Sequence, residues 1–352
     1  IQSNGRAFRT YNLSFTEPWL GGKKRNSFSV SFYNTRQSNS YNQYGQFCRS
    51  CGDTSYLRIL GASVALGKQL KWPDDYFSLI TSLNFQQYKL RNYAVSGFGG
   101  LNNGTSSNIS LRLALARNAA QGSPIFPTGG SNFLLSGQFT LPYTMLGIAK
   151  KTDGEYNLPE FHKWLFTGEY YVPIGVAKGA EKNKQFILKV AAKYGFIGRY
   201  SKNRPVSPFE RFQLGDAGLS NQFGLLGYDI IAHRGYPIYS SSDPKVNPEN
   251  VNPTEYFTIF NKYTVELRYP LSTNPNSTIY GLAFFEAANG WYTFKEYNPF
   301  KLRRSAGLGM RFFLPMFGLL GFDYGIGFDR IKANEPIKNA FKFTFMLGQE
   351  PQ

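Results

Sequence analysis

Acidic residues, histidine, cysteine and long apolar runs are all scarce in this chain, and each shortage narrows what it can be. Among 352 residues there are 22 Asp and Glu against 39 Lys and Arg, with two His, two Cys and four Met. Two cysteines exclude a disulfide-stapled scaffold. They stand as Cys48 and Cys51 in "FCRSCGD". With no second C-x-x-C and only His162 and His233 to complete a ligand set, a metal site is not expected. A local disulfide in an oxidising compartment is the first reading of the pair, two free thiols the second and a redox-catalytic pair the last. The same two histidines leave nucleophilic catalysis without a base. His162 lies beside Glu160 in "PEFHKWL" and His233 precedes an arginine, and neither has a Ser or Asp constellation around it. The expectation is a protein that is not an enzyme and carries no metal or cofactor. No run of about 18 apolar residues exists, so no helix is expected to span a bilayer. No signal peptide is visible, and Ile1 opens in mid-pattern, so an N-terminal portion is expected to be missing.

The shortage of acids leaves a net charge of +17. A nucleic-acid surface would cluster its cations on one element. Here they are scattered singly, apart from short groups such as Lys23-Lys24-Arg25 and Arg303-Arg304. A basic lumen, or basic loops facing anionic lipid headgroups, accounts for the charge without nucleic acid.

What the chain has in abundance is aromatic residues, glycine and alternation: 32 Phe, 24 Tyr, 4 Trp and 36 Gly. In "NSFSVSFYN" Phe28, Val30 and Phe32 fall on one face and Ser27, Ser29 and Ser31 on the other. "QFILKVAAKYG" sets Phe186, Leu188, Val190 and Tyr194 against Lys189, Ala191 and Lys193, and "AFKFTFMLG" sets Phe341, Phe343, Phe345 and Leu347 against Lys342 and Thr344. Period-two alternation means strands with one apolar and one polar face. The runs are long, roughly 55–70, 76–91, 131–142, 257–270, 278–290 and 303–315. Sandwich strands are about five or six residues, whereas membrane-barrel strands reach about nine to eleven or more. The expected fold is all-β, a transmembrane antiparallel β-barrel with about thirteen strands plus a stub at residues 1–3. Tyr143, Trp164, Tyr171, Trp291 and Tyr292 lie near strand ends, where interfacial girdles are expected. Connections alternate between short turns (19–25, 315–317) and longer loops (38–54, 143–160, 199–256), the asymmetry of bacterial outer-membrane barrels.

Several stretches together resemble the BamA family of outer-membrane protein insertases, and in particular its Bacteroidota-type branch. They are "YNLSFTEPWLGGKKRNS" (11–27), "PIFPTGGS" (124–131), "EYYVPIG" (169–175), "PFERFQLGDAGLS" (208–220), "HRGYP" (233–237), "VELRYPL" (265–271), "LAFFEAANGW" (282–291) and "NPFKLRRSAGLGMRFFLPMFGLLGFDYGIGFD" (298–329). The resemblance covers essentially the whole chain, 1–352. It implies a sixteen-strand barrel preceded by POTRA domains, so the first strands and those domains are expected to lie outside this sequence. It also implies an outer-membrane location in a Gram-negative bacterium. The implied partners are nascent outer-membrane β-barrel proteins, outer-membrane lipids including lipopolysaccharide, and accessory assembly lipoproteins, with room for surface-exposed subunits. Sister members of the superfamily, TamA-like or two-partner-secretion translocation pores, share the pattern, and a passive porin is the plainer alternative.

The resemblance assigns two constellations. The loop 199–256 would fold back into the lumen, with Arg234, Gly235 and Tyr236 at its tip and Glu266 and Glu286 as acidic partners on the wall. The residues agree. Glu266 alternates with Val265 and Leu267 and so faces inward, and Glu286 breaks an apolar run where a lipid-facing carboxylate would be costly. Such a latch would stiffen the wall far from the seam. The last strand, carrying Phe341, Phe343, Phe345, Leu347 and Gly348, would form one side of a lateral gate with the first strand, Gly348 weakening its pairing. The family usually ends in an aromatic residue, whereas this chain ends Glu350-Pro351-Gln352.

Overall fold

The computed structural model describes residues 2–4, 8–22, 26–38, 54–93, 103–148, 157–175, 184–201, 210–216, 229–239, 257–274, 277–316, 318–333 and 335–348. The strands are β1 (Gln2–Asn4), β2 (Phe8–Glu17), β3 (Asn26–Ser38), β4 (Tyr56–Gln69), β5 (Phe77–Arg91), β6 (Gly104–Asn118), β7 (Gln121–Gly122), β8 (Pro127–Thr140), β9 (His162–Ile174) and β10 (Phe186–Gly198). They continue with β11 (Phe212–Leu214), β12 (Asp229–Ile231), β13 (Ile259–Asn274), β14 (Ser277–Trp291), β15 (Arg303–Leu314), β16 (Gly318–Gly327) and β17 (Phe341–Gly348).

One sheet of 15 strands takes up the long strands in chain order from β1 to β17, with β7 attached to β8 and with β11 and β12 forming a separate two-stranded sheet. Among the described residues this is thirteen long strands and the stub β1, as the alternation predicts. The fold is an all-β antiparallel barrel wall. Cys48, Cys51 and Lys23-Lys24-Arg25 lie outside the described residues.

The chain divides into two units. Unit one comprises 1–116, 135–164 and 197–208. Its strands pair in unbroken register from β2 through β5, for example Ser31 opposite Ser63 and Ser63 opposite Asn84. Leu13, Phe15, Val30, Phe32, Val64, Leu66 and Leu83 are exposed on the outer face, as a lipid-facing wall requires. The inner face is largely neutral. The Ser31 and Ser63 hydroxyls meet at 2.8 Å, Thr10 and Thr35 at 2.7 Å, and Gln138 donates to Ser110 at 3.3 Å. Tyr33 lies across Gly61, where a Cβ would collide with its ring, and Gln86 donates to the Tyr33 hydroxyl at 3.0 Å.

Unit two comprises 117–134, 165–196 and 209–352. In β13 the even positions from Phe260 to Pro270 are buried, while Val265, Leu267 and Leu271 are exposed. Phe126, Tyr171, Ile187, Tyr280, Leu282 and Phe284 form a buried inner cluster, with the Phe126 and Tyr280 rings 5.0 Å apart.

The aromatic girdle is corrected in part. Tyr143, Tyr171 and Trp291 are buried, at 4%, 4% and 5% exposure. Tyr171 falls on the inward side of β9, whereas Tyr143 lies beyond the end of β8 and Trp291 on the outward parity of β14, each covered by its neighbours. The Tyr143 hydroxyl accepts from Ile109 N at 2.9 Å, Tyr171 belongs to the Phe126 cluster, and Trp291 meets Tyr297 edge-on at 5.0 Å. Tyr292 is half-buried against Phe257. Trp164 is exposed as expected, and Trp19, Trp72, Tyr76 and Tyr170 are exposed where the sequence did not single them out.

Candidate functional site

Within unit two, the described part of the loop between β10 and β13 builds its own short ladder. Parallel strands β11 and β12 pair Phe212 to Asp229 and Leu214 to Ile231. Gly215 N donates to Ile231 O at 3.0 Å, Asp216 N to Tyr236 O at 3.0 Å, and Tyr239 N to Leu214 O at 2.9 Å. Backbone groups carried into an interior have to be paired, and this ladder pairs them. Phe212, Leu214, Tyr236, Tyr239 and Phe257 are essentially inaccessible, so apolar burial at ~25 cal/mol per Å2 supplies the packing term.

The tip that this ladder presents is Arg234-Gly235-Tyr236. The Arg234 backbone N donates to Glu286 Oε2 at 2.9 Å, its Nε to Glu286 Oε1 at 3.0 Å, and its Nη2 to Glu286 Oε1 at 2.8 Å and Glu266 Oε1 at 2.5 Å. The guanidinium also lies 3.9 Å from the Phe284 ring centroid, within cation–π range. Burial opposes the Arg234 charge, but Glu286, Glu266 and Asp323 outweigh it, so the pKa is raised above that of an ordinary arginine. All the sequence-predicted tip and acid residues are therefore brought together. Gly235 has φ 84°, and a Cβ there would sit 3.1 Å from both Ile326 C and Ser305 Cβ. Only glycine fits both demands. The facing glycines on β16 supply the space, since a Cβ on Gly327 would meet Tyr236 Cζ at 2.9 Å.

The neighbours of the tip extend the network beyond what the sequence suggested. Arg311 of β15 holds Asp323 of β16 in a bidentate pair with both bonds at 2.9 Å, and Asp323 lies 3.9 Å from Arg234 Nη1. Arg268 donates to Glu266 Oε2 from Nε at 2.8 Å and from Nη2 at 2.5 Å. Lys262 Nζ is 3.1 Å from Glu286 Oε1 and donates to Ala232 O at 2.6 Å. The parity argument that picked out Glu266 and Glu286 also applies to Arg311 in "GMRFF" and Asp323 in "GFDYG", each a charge in an apolar run.

His233 is fully buried and packs within the tip. Its Nδ1 is 2.5 Å from the Tyr239 hydroxyl, its Nε2 is 3.3 Å from Ser305 Oγ, and its ring stacks on Tyr236 at 4.4 Å. Burial pushes its pKa down to about 3, so the ring is neutral at ordinary pH. The Tyr236 hydroxyl is 2.9 Å from both Arg304 O and Asp329 Oδ2 and accepts from Asp329 N at 3.2 Å, while Arg330 Nη1 donates to Gly235 O at 2.9 Å. His162, the other histidine, accepts from Trp164 Nε1 at 3.1 Å, and its neighbour Glu160 is taken by the Thr144 backbone N and hydroxyl, both at 2.5 Å.

The fastening is not confined to β13 and β14. Lys342 Nζ donates to the Asp216 carbonyl and lies 3.5 Å from its carboxylate, and the Thr344 hydroxyl donates to Asp216 Oδ2. The same loop therefore grips the inner face of the last strand, which the sequence did not reveal because Asp216 comes near β17 only through the fold. On the outer face of β17, Phe341 stacks on Tyr324 at 4.9 Å, Phe345 lies 5.2 Å from Phe322, and Phe343 and Leu347 are exposed. Gly348 closes the strand opposite Leu319, and among the described residues β17 pairs with β16 alone.

Comparison with known proteins gives a consistent picture. The family description Omp85 superfamily domain matches residues 3–350. No curated protein sequence matches the chain. Among solved structures, BamA from Haemophilus ducreyi lacking POTRA domains 1–3 aligns over 96% of this chain and 61% of its own, with TM-score 0.62 and 18% identity. CdiB from Acinetobacter baumannii and CdiB from Escherichia coli each align over 96% of this chain, covering 49% and 52% of their own, with TM-scores 0.51 and 0.52 and 13% identity. At these identities the likeness is one of fold, and the chain spans less than two thirds of each of these structures.

Proposed function

Because the chain belongs to the Omp85 superfamily, whose barrels are outer-membrane proteins of Gram-negative bacteria, we propose that it is the barrel part of a BamA-like outer-membrane protein insertase. It folds and inserts nascent β-barrel proteins without making or breaking a covalent bond. The observation that carries this reading is the docked loop tip: Arg234 is held between Glu266 and Glu286 on the wall, the arrangement that the family resemblance implies, in a fold like that of BamA from Haemophilus ducreyi lacking POTRA domains 1–3. In this reading the last strand offers its edge to an incoming strand. The client's final strand pairs with that edge, at the seam where the family's first strand stands.

In the second half of the mechanism the bilayer is thinned beside the seam, which lowers the barrier to insertion. The Arg234 tip holds β13 to β16 in place while the seam works, and Asp216 ties the inner face of β17 to the same loop. Accessory lipoproteins and surface-exposed subunits are further partners in this reading.

The test is the whole protein in proteoliposomes, challenged with a urea-unfolded outer-membrane barrel. Protease resistance of the client should appear markedly faster than with empty liposomes. The likeness to two CdiB structures favours a translocation pore of the same superfamily as the second reading. Unaccelerated insertion together with export of a soluble client would select it, and ion conductance alone would select a passive porin.

A further inference from the structure

Beside the Arg234 tip, the inner face of unit two carries a partly open pocket of about 20 Å3, room for one water-sized species. Its lining carries five cations, Lys189, Lys193, Arg234, Lys262 and Arg311. Against them stand three carboxylates, Glu169, Glu266 and Glu286. Just behind these, Arg268 on Glu266 and Asp323 on Arg311 cancel one another. The surroundings therefore hold two positive charges more than negative ones, with Lys193 half-buried and Lys189, Arg234, Lys262, Arg311, Glu266 and Glu286 nearly inaccessible.

One of the two surplus charges is that of Lys193. Each lining carboxylate is already engaged: Glu169 by Lys189 at 2.9 Å, Glu266 by Arg234 and Arg268, and Glu286 by Arg234 and Lys262. The register of β10 on β13 sets Lys193 directly opposite Lys262, and like charges directly opposite one another destabilise a sheet. Lys262 is compensated by Glu286 and Ala232 O. Among the described residues no hydrogen bond or ion pair reaches Lys193.

We propose that this cavity binds one small monovalent anion of the size of chloride, with Lys193 as its principal ligand and Lys262 and Arg234 as the neighbouring cations. The anion screens Lys193 from Lys262 and ties β10 to the ion network that holds the loop tip. A water molecule would fill the same space without relieving the charge. The inference stands apart from the insertase reading, since it concerns what stabilises the wall rather than what the wall acts on.

The experiment uses the full chain in detergent micelles. The midpoint of its heat-modifiable migration is measured in sodium chloride, sodium bromide and sodium gluconate at matched ionic strength. Chloride and bromide should raise the midpoint saturably by several degrees over gluconate, which is too large for the cavity. Lys193→Met should lose that difference. Crystals grown in bromide should show an anomalous peak beside Lys193 Nζ, and that peak decides the matter if Lys193→Met fails to fold. Equal midpoints in the three salts, an undiminished halide effect in Lys193→Met, or a cavity without bromide would each overturn the proposal.

Discussion

The inner faces of the two units are made by the same strand alternation and held by opposite chemistry. In unit one Ser31 meets Ser63, Thr10 meets Thr35 and Gln138 meets Ser110. In unit two Arg234, Arg268, Arg311 and Lys262 are matched to Glu266, Glu286 and Asp323, all nearly inaccessible. A hydroxyl that loses its partner can turn to water, and a neutral hydrogen bond contributes only about 1 kcal/mol net. A buried ion that loses its partner has no such recourse, and breaking one pair costs about 3–5 kcal/mol. The neutral wall therefore tolerates change, while the charged wall holds one arrangement or fails. That difference falls where the loop tip docks and where the last strand is gripped.

The largest effect expected is at Arg234. Arg234→Ala leaves Glu286 and Glu266 short of a partner and should destabilise the docked loop by about 3–5 kcal/mol, read as a loss of heat-modifiable migration and as protease cleavage within 229–239. Arg234→Lys keeps the charge but lacks the planar fork that spans both carboxylates, so an intermediate loss is expected. If Arg234→Ala left migration and cleavage unchanged, the two walls would not differ in the way described.

A smaller effect, and one that depends on pH, belongs to His233. Its folded pKa of about 3 lies below the ordinary 6.5, so the unfolded chain takes up a proton first on acidification. Its contribution to stability is complete above about 6.5 and is lost as pH falls toward 3. His233→Gln should flatten the acid limb of the stability profile in that window, and an unaltered limb would remove His233 from the account. The smallest effect is expected in unit one, where Ser31→Ala should cost about 1 kcal/mol or less by the same migration assay. A loss there as large as at Arg234 would erase the contrast.

Much of this was legible in the sequence, for a physical reason. Alternation is a local property, so the long strands and the inward parity of Glu266 and Glu286 could be read from neighbours two residues away. Arg234 and Gly235 were legible through the family resemblance and through the oddity of an arginine beside a glycine in a loop. Asp323 and Arg311 are readable by the same parity, each a charge between apolar neighbours on its strand. Nearness to a strand end does not by itself give exposure: Tyr171 takes the inward face of β9, while Tyr143 and Trp291 are covered by neighbouring residues such as Ile109 and Tyr297. The contact of Asp216 with Lys342 and Thr344 was not legible at all, since it joins residues far apart in the chain through a fold-back of the loop.

The most direct measurement places single cysteines on the outer or edge side of the two walls in the whole protein, Phe345→Cys on β17 and Val64→Cys on β4, during assembly of a client barrel carrying a cysteine in its final strand. Disulfide cross-linking at position 345 and none at position 64 is the predicted result. Equal cross-linking at both positions, or none at 345 while the client still inserts, would contradict the account of β17 as the receiving edge.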